Sequence, residues 1–459
     1  MSAMAKKTAA GSANSITEGV IWKQLLQFFF PILLGTFFQQ LYNTVDAIIV
    51  GNFVGKEALA AVGGSTGTLI NLLIGFFVGL SSGGSVIISQ FFGANKGEET
   101  SRAVHTLIML GLIVSTLFMA VGLLFSRQAL QLIAVPDDIM DYALVYMRIY
   151  FAGVAFPILY NIGSAIMRAV GDSKRPLYFL IVCCLTNVVL DLVLVMGLKM
   201  GVAGAALATV LSQVVSVLLT FFSLMKTDAC YRVAFRKLRL DMVLLRSMLR
   251  IGLPVGLQST LYTVSNLLIQ SSINSFGTDI IAAWTAVGKV DSLFWMAISA
   301  FGVSVTTFVG QNFGAGKYDR VHKCVRVGIG MAMGMTILIS AVILLIRNPA
   351  LGLFTSDANV VNYGSRMIVY MVTFYFAYVP IEILSGAVKG AGDSFIPMII
   401  TLLGICVLRV SWVLILLPAH HDLFTLTVSY PISWVVTSII FIIYYLKGGW
   451  MQRCIKRQG

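Results

Sequence analysis

A charged side chain inside an apolar run long enough to cross a bilayer is expensive, so each one found there is a candidate for function. Four acids qualify: Asp46, Asp191, Asp291 and Glu382. Asp46 lies five residues before Gly51 and Asp191 eight before Lys199, where the first and fifth apolar runs end. At ~1.5 Å per helical residue both carboxylates sit roughly 7–12 Å below one surface. Asn187 is one turn before Asp191 on the same face, and Thr209 lies at a similar depth in the next run. Two carboxylates, an amide oxygen and a hydroxyl at one level suit a proton or Na⁺. Hard cations take oxygen ligands, and two carboxylates in low dielectric resist double ionisation. The alternative is that Asp46 and Asp191 only hydrogen-bond neighbouring helices.

The other charges within apolar runs are distributed differently. Lys289, Asp291, Glu382 and Arg409 place two acids and two bases in the second half of the chain. Mutual ion pairing would neutralise them, which points to a structural or gating role. A second coupling site at Glu382 is the alternative. Tyr142, Tyr146 and Tyr150 recur every four residues and share a face, as do Gln39 and Tyr42. With Asn161, the repeat counterpart of Glu382, the set Gln39, Tyr42 and Tyr146 can line a cavity for flat, lipophilic, often cationic molecules. Ordinary helix packing is the competing reading. Pro31 lies inside the first run and bends it, either as fixed shape or as a bend that changes angle.

The elements that must hold these groups are written twice. Gln90-Phe91-Phe92-Gly93-Ala94-Asn95-Lys96 returns as Gln311-Asn312-Phe313-Gly314-Ala315-Gly316-Lys317, and Gly171-Asp172-Ser173 with Pro176 returns as Gly392-Asp393-Ser394 with Pro397, both 221 residues later. The residue three before each of those glycines is basic, Arg168 and Lys389. One offset for both motifs means one duplication. Hydrophobic residues make up 58 % of the 459, charged ones 11 %, and mean hydropathy is +0.90. Soluble domains carry about 25 % charged residues. Twelve apolar runs of spanning length follow: 24–50, 58–91, 103–125, 139–167, 176–198, 201–225, 249–275, 280–311, 324–346, 360–388, 396–417 and 424–446. The expected fold is an all-α integral membrane protein, with twelve transmembrane helices in two six-helix lobes related by a parallel repeat.

The expected organisation is an N-terminal segment 1–23, an N-lobe 24–225, a basic linker 226–248, a C-lobe 249–446 and a tail 447–459. Between Lys226 and Arg250, basic and apolar residues interleave as in an amphipathic helix lying on a membrane surface. With the N-terminus inside, only Lys56, Arg127, Lys199 and Arg347 among the 32 Lys and Arg fall in outer loops or ends, and Arg148, Lys289, Arg366 and Arg409 fall within spans. That bias places both termini in the cytoplasm of a multi-pass plasma-membrane protein. It also turns the net charge of +13 towards anionic inner-leaflet lipid rather than nucleic acid. None of the six Cys falls in an outer loop, so no disulfide framework is expected. Met1 to Thr17 is polar, and no cleavable signal is expected.

Enzyme signals are weak. Gly79-Leu80-Ser81-Ser82-Gly83 fits the nucleophile-elbow pattern, which would make Ser81 the nucleophile of an intramembrane hydrolase. It sits in a Gly/Ser-rich run, where small residues let helices approach closely. No phosphate-binding G-x-x-x-x-G-K-[ST] sequence and no zinc spacing occurs.

Taken together, Pro31 with Asp46, the two Gln-to-Lys loops, the paired Gly-Asp-Ser motifs and Asn187-Val188-Val189-Leu190-Asp191 followed by Gly201 to Thr209 resemble the multidrug and toxic compound extrusion family over about Thr17 to Lys447. The resemblance implies two lobes with a cleft between them, and drug export exchanged for inward H⁺ or Na⁺ without a cofactor. It implies a cation site at Asp46, Asn187, Asp191 and Thr209, a bend at Pro31, and a cavity lined by Gln39, Tyr42 and Tyr146. The expected partners are small-molecule drugs and membrane lipids, and the expected state is a monomer. A C-lobe Na⁺ site found in one branch of the family uses an acid in the seventh span, and this chain has none there. The wider superfamily includes lipid-linked oligosaccharide flippases, which are the alternative function.

Overall fold

A computed structural model describes residues 15–133, 135–355 and 357–456. Residues 1–14 and 457–459 of the expected terminal segments lie outside these. Among the described residues the regular structure is entirely helical. The first half comprises α1 (Ile21–Phe53), α2 (Lys56–Gly63), α3 (Ser65–Gly93), α4 (Gly97–Leu132), α5 (Asp137–Ala152), α6 (Ala155–Ala169), α7 (Lys174–Asp191), a π-helical stretch Leu192–Gly197 and α8 (Gly201–Lys226). The second comprises α9 (Met242–Asn274), α10 (Thr278–Gly314), α11 (Tyr318–Gly352), α12 (Ala358–Val372), α13 (Val379–Gly390), α14 (Phe395–Thr401), a second π-helical stretch Leu402–Val407, α15 (Leu408–Leu416), α16 (Leu423–Lys447) and α17 (Trp450–Lys456).

Among the described residues ten helical stretches are long and apolar enough to cross a membrane, or eleven when α5 and α6, bent by 49° at their junction, count as one span. The run expected at 249–275 forms the continuous helix α9. Gln258, Ser265, Asn266, Gln270, Ser271 and Ser272 make it more polar than the others.

The chain packs as two compact units, residues 30–256 and residues 1–29 with 257–459. Each half therefore hands its first helical segment to the other unit's packing. Within residues 30–256, α9 meets α3 through two pairs of glycines four apart. A Cβ on Gly79 would lie 2.6 Å from Gly256 Cα, and one on Gly256 would lie 2.8 Å from the Phe76 carbonyl oxygen. Side chains on Gly83 and Gly252 would overlap the Met248 and Leu80 carbonyl oxygens. This is the small-residue crossing that lets membrane helices touch backbone to backbone. Ser81 belongs to that packing: it is 4 % exposed and donates to the Val78 carbonyl at 2.9 Å. In the other unit, Phe29 stacks on Phe301 with ring centroids 4.1 Å apart.

Both repeated motifs are helix-stop and helix-start devices. At the end of α3 the N–H groups of Ala94 and Lys96 return to the Gln90 and Phe91 carbonyls at 2.9 and 3.0 Å, and Asn95 takes a left-handed φ of 58°. The second copy repeats this with Ala315 on Gln311, Lys317 on Asn312, and Gly316 at φ 71°. Gly171 and Gly392 likewise sit at φ 96° and 103°. Asp172 then accepts the N–H groups of Lys174 and Arg175 to open α7. Such left-handed caps satisfy the last carbonyls of one helix before the next begins.

The amphipathic helix expected between Lys226 and Arg250 forms only over its last part, where residues 242–250 begin α9. Residues 227–241 are irregular apart from one 3₁₀ turn, Phe235–Lys237. Two of their backbone N–H groups go to side chains of α4: Ala234 N–H donates to His105 Nε2 at 3.1 Å and Asp241 N–H to Thr106 Oγ1 at 3.3 Å. The Asp241 carboxylate accepts from Arg102 and from the N–H groups of Val243 and Leu244, opening α9.

Two outcomes test this packing. Gly83→Ala should destabilise the protein by about 1–3 kcal/mol, because the neighbouring backbone has no room. Gly330→Ala, which meets no atom within 4 Å, should not; size-exclusion after graded heating reads both. The Arg102 guanidinium beside Asp241, aided by the Leu244 N–H, holds the Asp241 carboxyl below the usual carboxylate range. A carboxyl depressed on folding contributes stability above its unfolded pKa of about 3.9 and loses it as pH falls through the folded value. Hydrogen exchange over 227–241, corrected for intrinsic rate, should stay slow at pH 5 and quicken below about 4. Asp241→Asn should exchange fast at neutral pH.

Candidate functional site

The acids of the first half meet. Asp46 is carried by α1, Asn187 and Asp191 by the last turn of α7, Thr209 by α8 and Tyr146 by α5. Relative exposures are 7 % for Asp46, 0 % for Asn187 and Asp191, and 6 % for Thr209. The Asp46 and Asp191 carboxyls face each other. The Tyr146 hydroxyl lies against Thr209 and near Asp46, Tyr42 and Tyr150. Around this polar point closes an apolar wall that includes Ile49, Val50, Ile70, Val195, Val202 and Ala205. Asp191 is also the last α-helical residue before the π-helical stretch Leu192–Gly197. Single π turns are frequent at functional sites, where they redirect side chains and carbonyls.

The hydrogen bonding of this point is incomplete. Both Asp191 carboxylate oxygens, one Asp46 oxygen and both Asn187 amide atoms are buried without a hydrogen-bond partner among the described residues. Thr209 spends its proton on the Ala205 carbonyl at 3.1 Å. Buried polar groups are almost always paired, and an unsatisfied one forfeits about 1–3 kcal/mol. Carboxylates are acceptors only. Two facing carboxylates therefore need either a shared proton or a cation between them. The residues present fit either ligand: two acidic oxygen donors, an amide oxygen and a hydroxyl oxygen.

The lining residues divide into two groups. Tyr42 lies close to Asp46, Tyr150, Cys183 and Cys184, and Tyr146 stacks with Tyr150 at 6.3 Å. Gln39 and Asn161 lie elsewhere, in a small cavity with Pro31, Thr36, Arg168 and Ser173. Arg168 is the unexpected member: its position before the Gly-Asp-Ser motif marks it as a repeated base, but no spacing in the sequence assigns it to a cavity.

The second-half charges do not pair with one another as expected. Asp291, 6 % exposed, accepts from the Tyr375 hydroxyl. Lys289 is exposed, because residues two apart on a helix face different ways. Arg409, 2 % exposed, donates to Ser433 Oγ from Nε and Nη2 at 3.2 and 2.9 Å and lies 4.0 Å from the Tyr430 ring centre. Glu382 has Lys389 as its charged neighbour. An aromatic cluster of Phe294, Trp295, Tyr375, Tyr378, Tyr430 and Trp434 fills the space between. No regular spacing in the sequence announces it.

Comparison with known proteins agrees with this architecture. The family model MatE matches residues 31–193 and 254–415, one stretch in each repeat. The chain is 28 % identical over 450 residues to the probable multidrug resistance protein YoeA of Bacillus subtilis, covering 95 % of this chain and 96 % of that one. It is 29 % identical over 439 residues to the probable multidrug resistance protein YpnP of the same organism, covering 95 % and 98 %. The fold superposes on a crystal structure titled MATE in the straight conformation with a TM-score of 0.89 at 22 % identity, covering 97 % and 99 %.

A ligand that binds only the folded state stabilises it by about 2.7 kcal/mol at a hundredfold excess over its dissociation constant. Thermal unfolding of purified protein should therefore shift upward when either acid or Na⁺, with choline as the control salt, is added. The double variant Asp46→Asn/Asp191→Asn should lose that shift.

Proposed function

This chain belongs to the MatE family of membrane transporters, and on that footing we propose that it is a cation-coupled multidrug efflux antiporter, exporting lipophilic, often cationic small molecules in exchange for H⁺ or Na⁺. The observation that carries the reading is the set of buried, unpartnered oxygens at Asp46, Asn187 and Asp191. A resident structural site would satisfy its own acceptors. A site that must gain and lose a cation in every cycle leaves them open. The names of the relatives, probable multidrug resistance proteins, supply the substrate class.

In this cycle one state takes up the cation between Asp46 and Asp191. The added positive charge then repels a cationic drug held beside Tyr42, Tyr146 and Tyr150. The other state releases the cation, and the re-exposed negative charge favours a new drug molecule. Coupling follows because cation and drug have different affinities in the two states. Pro31 gives α1 the bend through which Asp46 changes its surroundings, since proline removes one backbone bond of the helix. Each coupling group comes from residues 30–256 of a single chain, so the reaction needs no second copy. Both termini lie in the cytoplasm of the plasma membrane on the distribution of Lys and Arg.

Ethidium efflux from liposomes containing the purified protein, with a pH gradient and a Na⁺ gradient imposed separately, tests this. One gradient should drive efflux, and Asp46→Asn should reduce that driven efflux by about tenfold or more. Unchanged driven efflux in Asp46→Asn would remove the coupling assignment.

A further inference from the structure

The chain ahead of each repeat's first helix docks on the start of an equivalent helix, and the two docks are finished differently. Ahead of α1, residues 16–19 lie on the start of α11. Lys317 Nζ donates to the Thr17 carbonyl at 2.9 Å, and Arg320 donates to the Glu18 and Gly19 carbonyls at 2.9 and 3.0 Å. The bases there are consumed by backbone. Ahead of α9, residues 227–241 lie on α4, whose start is the counterpart of the start of α11 at the 221-residue offset. Here the docked segment brings the bases itself: Arg232, Arg236, Lys237 and Arg239. Among the described residues none of these four side chains makes a hydrogen bond or an ion pair.

The four bases line one cavity of about 650 Å³, whose other wall is the first turns of α4 with Gly97, Glu98 and Ser101. On a regular helix or strand these positions would point in several directions. The 3₁₀ turn Phe235–Lys237 folds the segment instead, with the Lys237 and Leu238 N–H groups returning to the Ala234 and Phe235 carbonyls at 2.9 and 3.2 Å. Arg102, the fifth base in the cavity, is already paired with Asp241. That leaves Glu98 as the acid set against four gathered positive charges, which repel one another unless an anion joins them. Three of the four are arginines, whose planar forks match phosphate oxygens in pairs. The volume is that of a small-molecule site. Among the described residues no Phe, Tyr or Trp lines it, so a nucleobase would find nothing to stack on, and a phosphate on a small polar body fits best.

We propose that this cavity is an anion site for a phosphomonoester, held by Arg232, Arg236, Lys237 and Arg239, and that the bound ligand ties residues 227–241 to α4. The same chemistry is offered by a lipid headgroup such as that of phosphatidic acid and by a soluble ester such as glycerol 3-phosphate. Phe235, Met242 and Val243 beside the cavity are exposed, as suits a surface in contact with the membrane interface. The site is independent of the efflux reading, because none of its residues belongs to the Asp46–Asp191 point.

The test follows hydrogen exchange over 227–241 in the purified full chain, in phosphatidylcholine nanodiscs. Four conditions are compared: no addition, phosphatidic acid in the bilayer, phosphatidylserine at matched surface charge, and glycerol 3-phosphate in solution. A ligand at tenfold excess over its dissociation constant should slow exchange by about tenfold. Slowing by phosphatidic acid alone assigns the site to a lipid headgroup, and slowing by glycerol 3-phosphate as well assigns it to the phosphate itself; either supports the proposal. Arg236→Gln/Arg239→Gln should weaken the ligand by about tenfold or more. The control Arg246→Gln/Lys323→Gln, which removes the same charge from exposed positions outside the cavity, should not. Glu98→Gln removes the opposing acid and should tighten binding, so the test survives a misfolded double variant. No slowing by either phosphomonoester, equal slowing by phosphatidylserine, or equal loss in the control variant would overturn the proposal.

Discussion

Two carboxylates held face to face inside a membrane helix bundle, three of their four oxygens without a hydrogen-bond partner among the described residues, set the terms for the rest of this molecule. A lone buried charge is costly in lipid, and two acceptor-only groups side by side add repulsion. The arrangement persists only because the surrounding helices hold it there. The apolar wall from Ile49 to Ala205 keeps water out, the π-helical stretch after Asp191 turns the end of α7, and the glycine-on-glycine crossing of α3 and α9 ties that unit together at backbone distance. On the proposed reading, the oxygens that the fold leaves unsatisfied at Asp46, Asn187 and Asp191 are the ligands of a mobile cation.

The duplication makes the point by contrast. Both halves descend from one plan, as the matching left-handed caps at Asn95 and Gly316 and at Gly171 and Gly392 record. Their interiors have diverged. In the second half the buried charges are settled internally: Asp291 on Tyr375, Arg409 on Ser433 and under Tyr430, Glu382 beside Lys389. In the first half the acids face each other. The proposed exchange is assigned to the half whose polar groups are incomplete.

Much of this is legible in the amino-acid sequence. Charge scarcity and run length announce an all-helical membrane protein, and one offset of 221 residues announces two halves. Depth counting along the first, fifth and sixth runs brings Asp46, Asn187, Asp191 and Thr209 to one level, because a helix converts residue number into height at a fixed rise. Lateral contacts are not legible, because they depend on how helices are rotated. Counting alone keeps Lys289 with Asp291, whereas the helix turns them to different faces. It does not gather Trp295, Tyr375 and Trp434 into one cluster. The linker misleads for a related reason: its alternation of basic and apolar residues suits a surface helix, but His105 and Thr106 of α4 capture the backbone groups such a helix would need.

The central claim is that drug and cation exclude each other at the facing carboxylates. It is tested most directly by measuring the ions released when ethidium binds the purified protein. Protons are followed in a weakly buffered solution with a pH indicator, and Na⁺ with an ion-selective electrode. The account predicts release of about one cation, H⁺ or Na⁺, per ethidium bound, and none in Asp46→Asn/Asp191→Asn. Stoichiometric ethidium binding to the wild type with no release of either ion would contradict it.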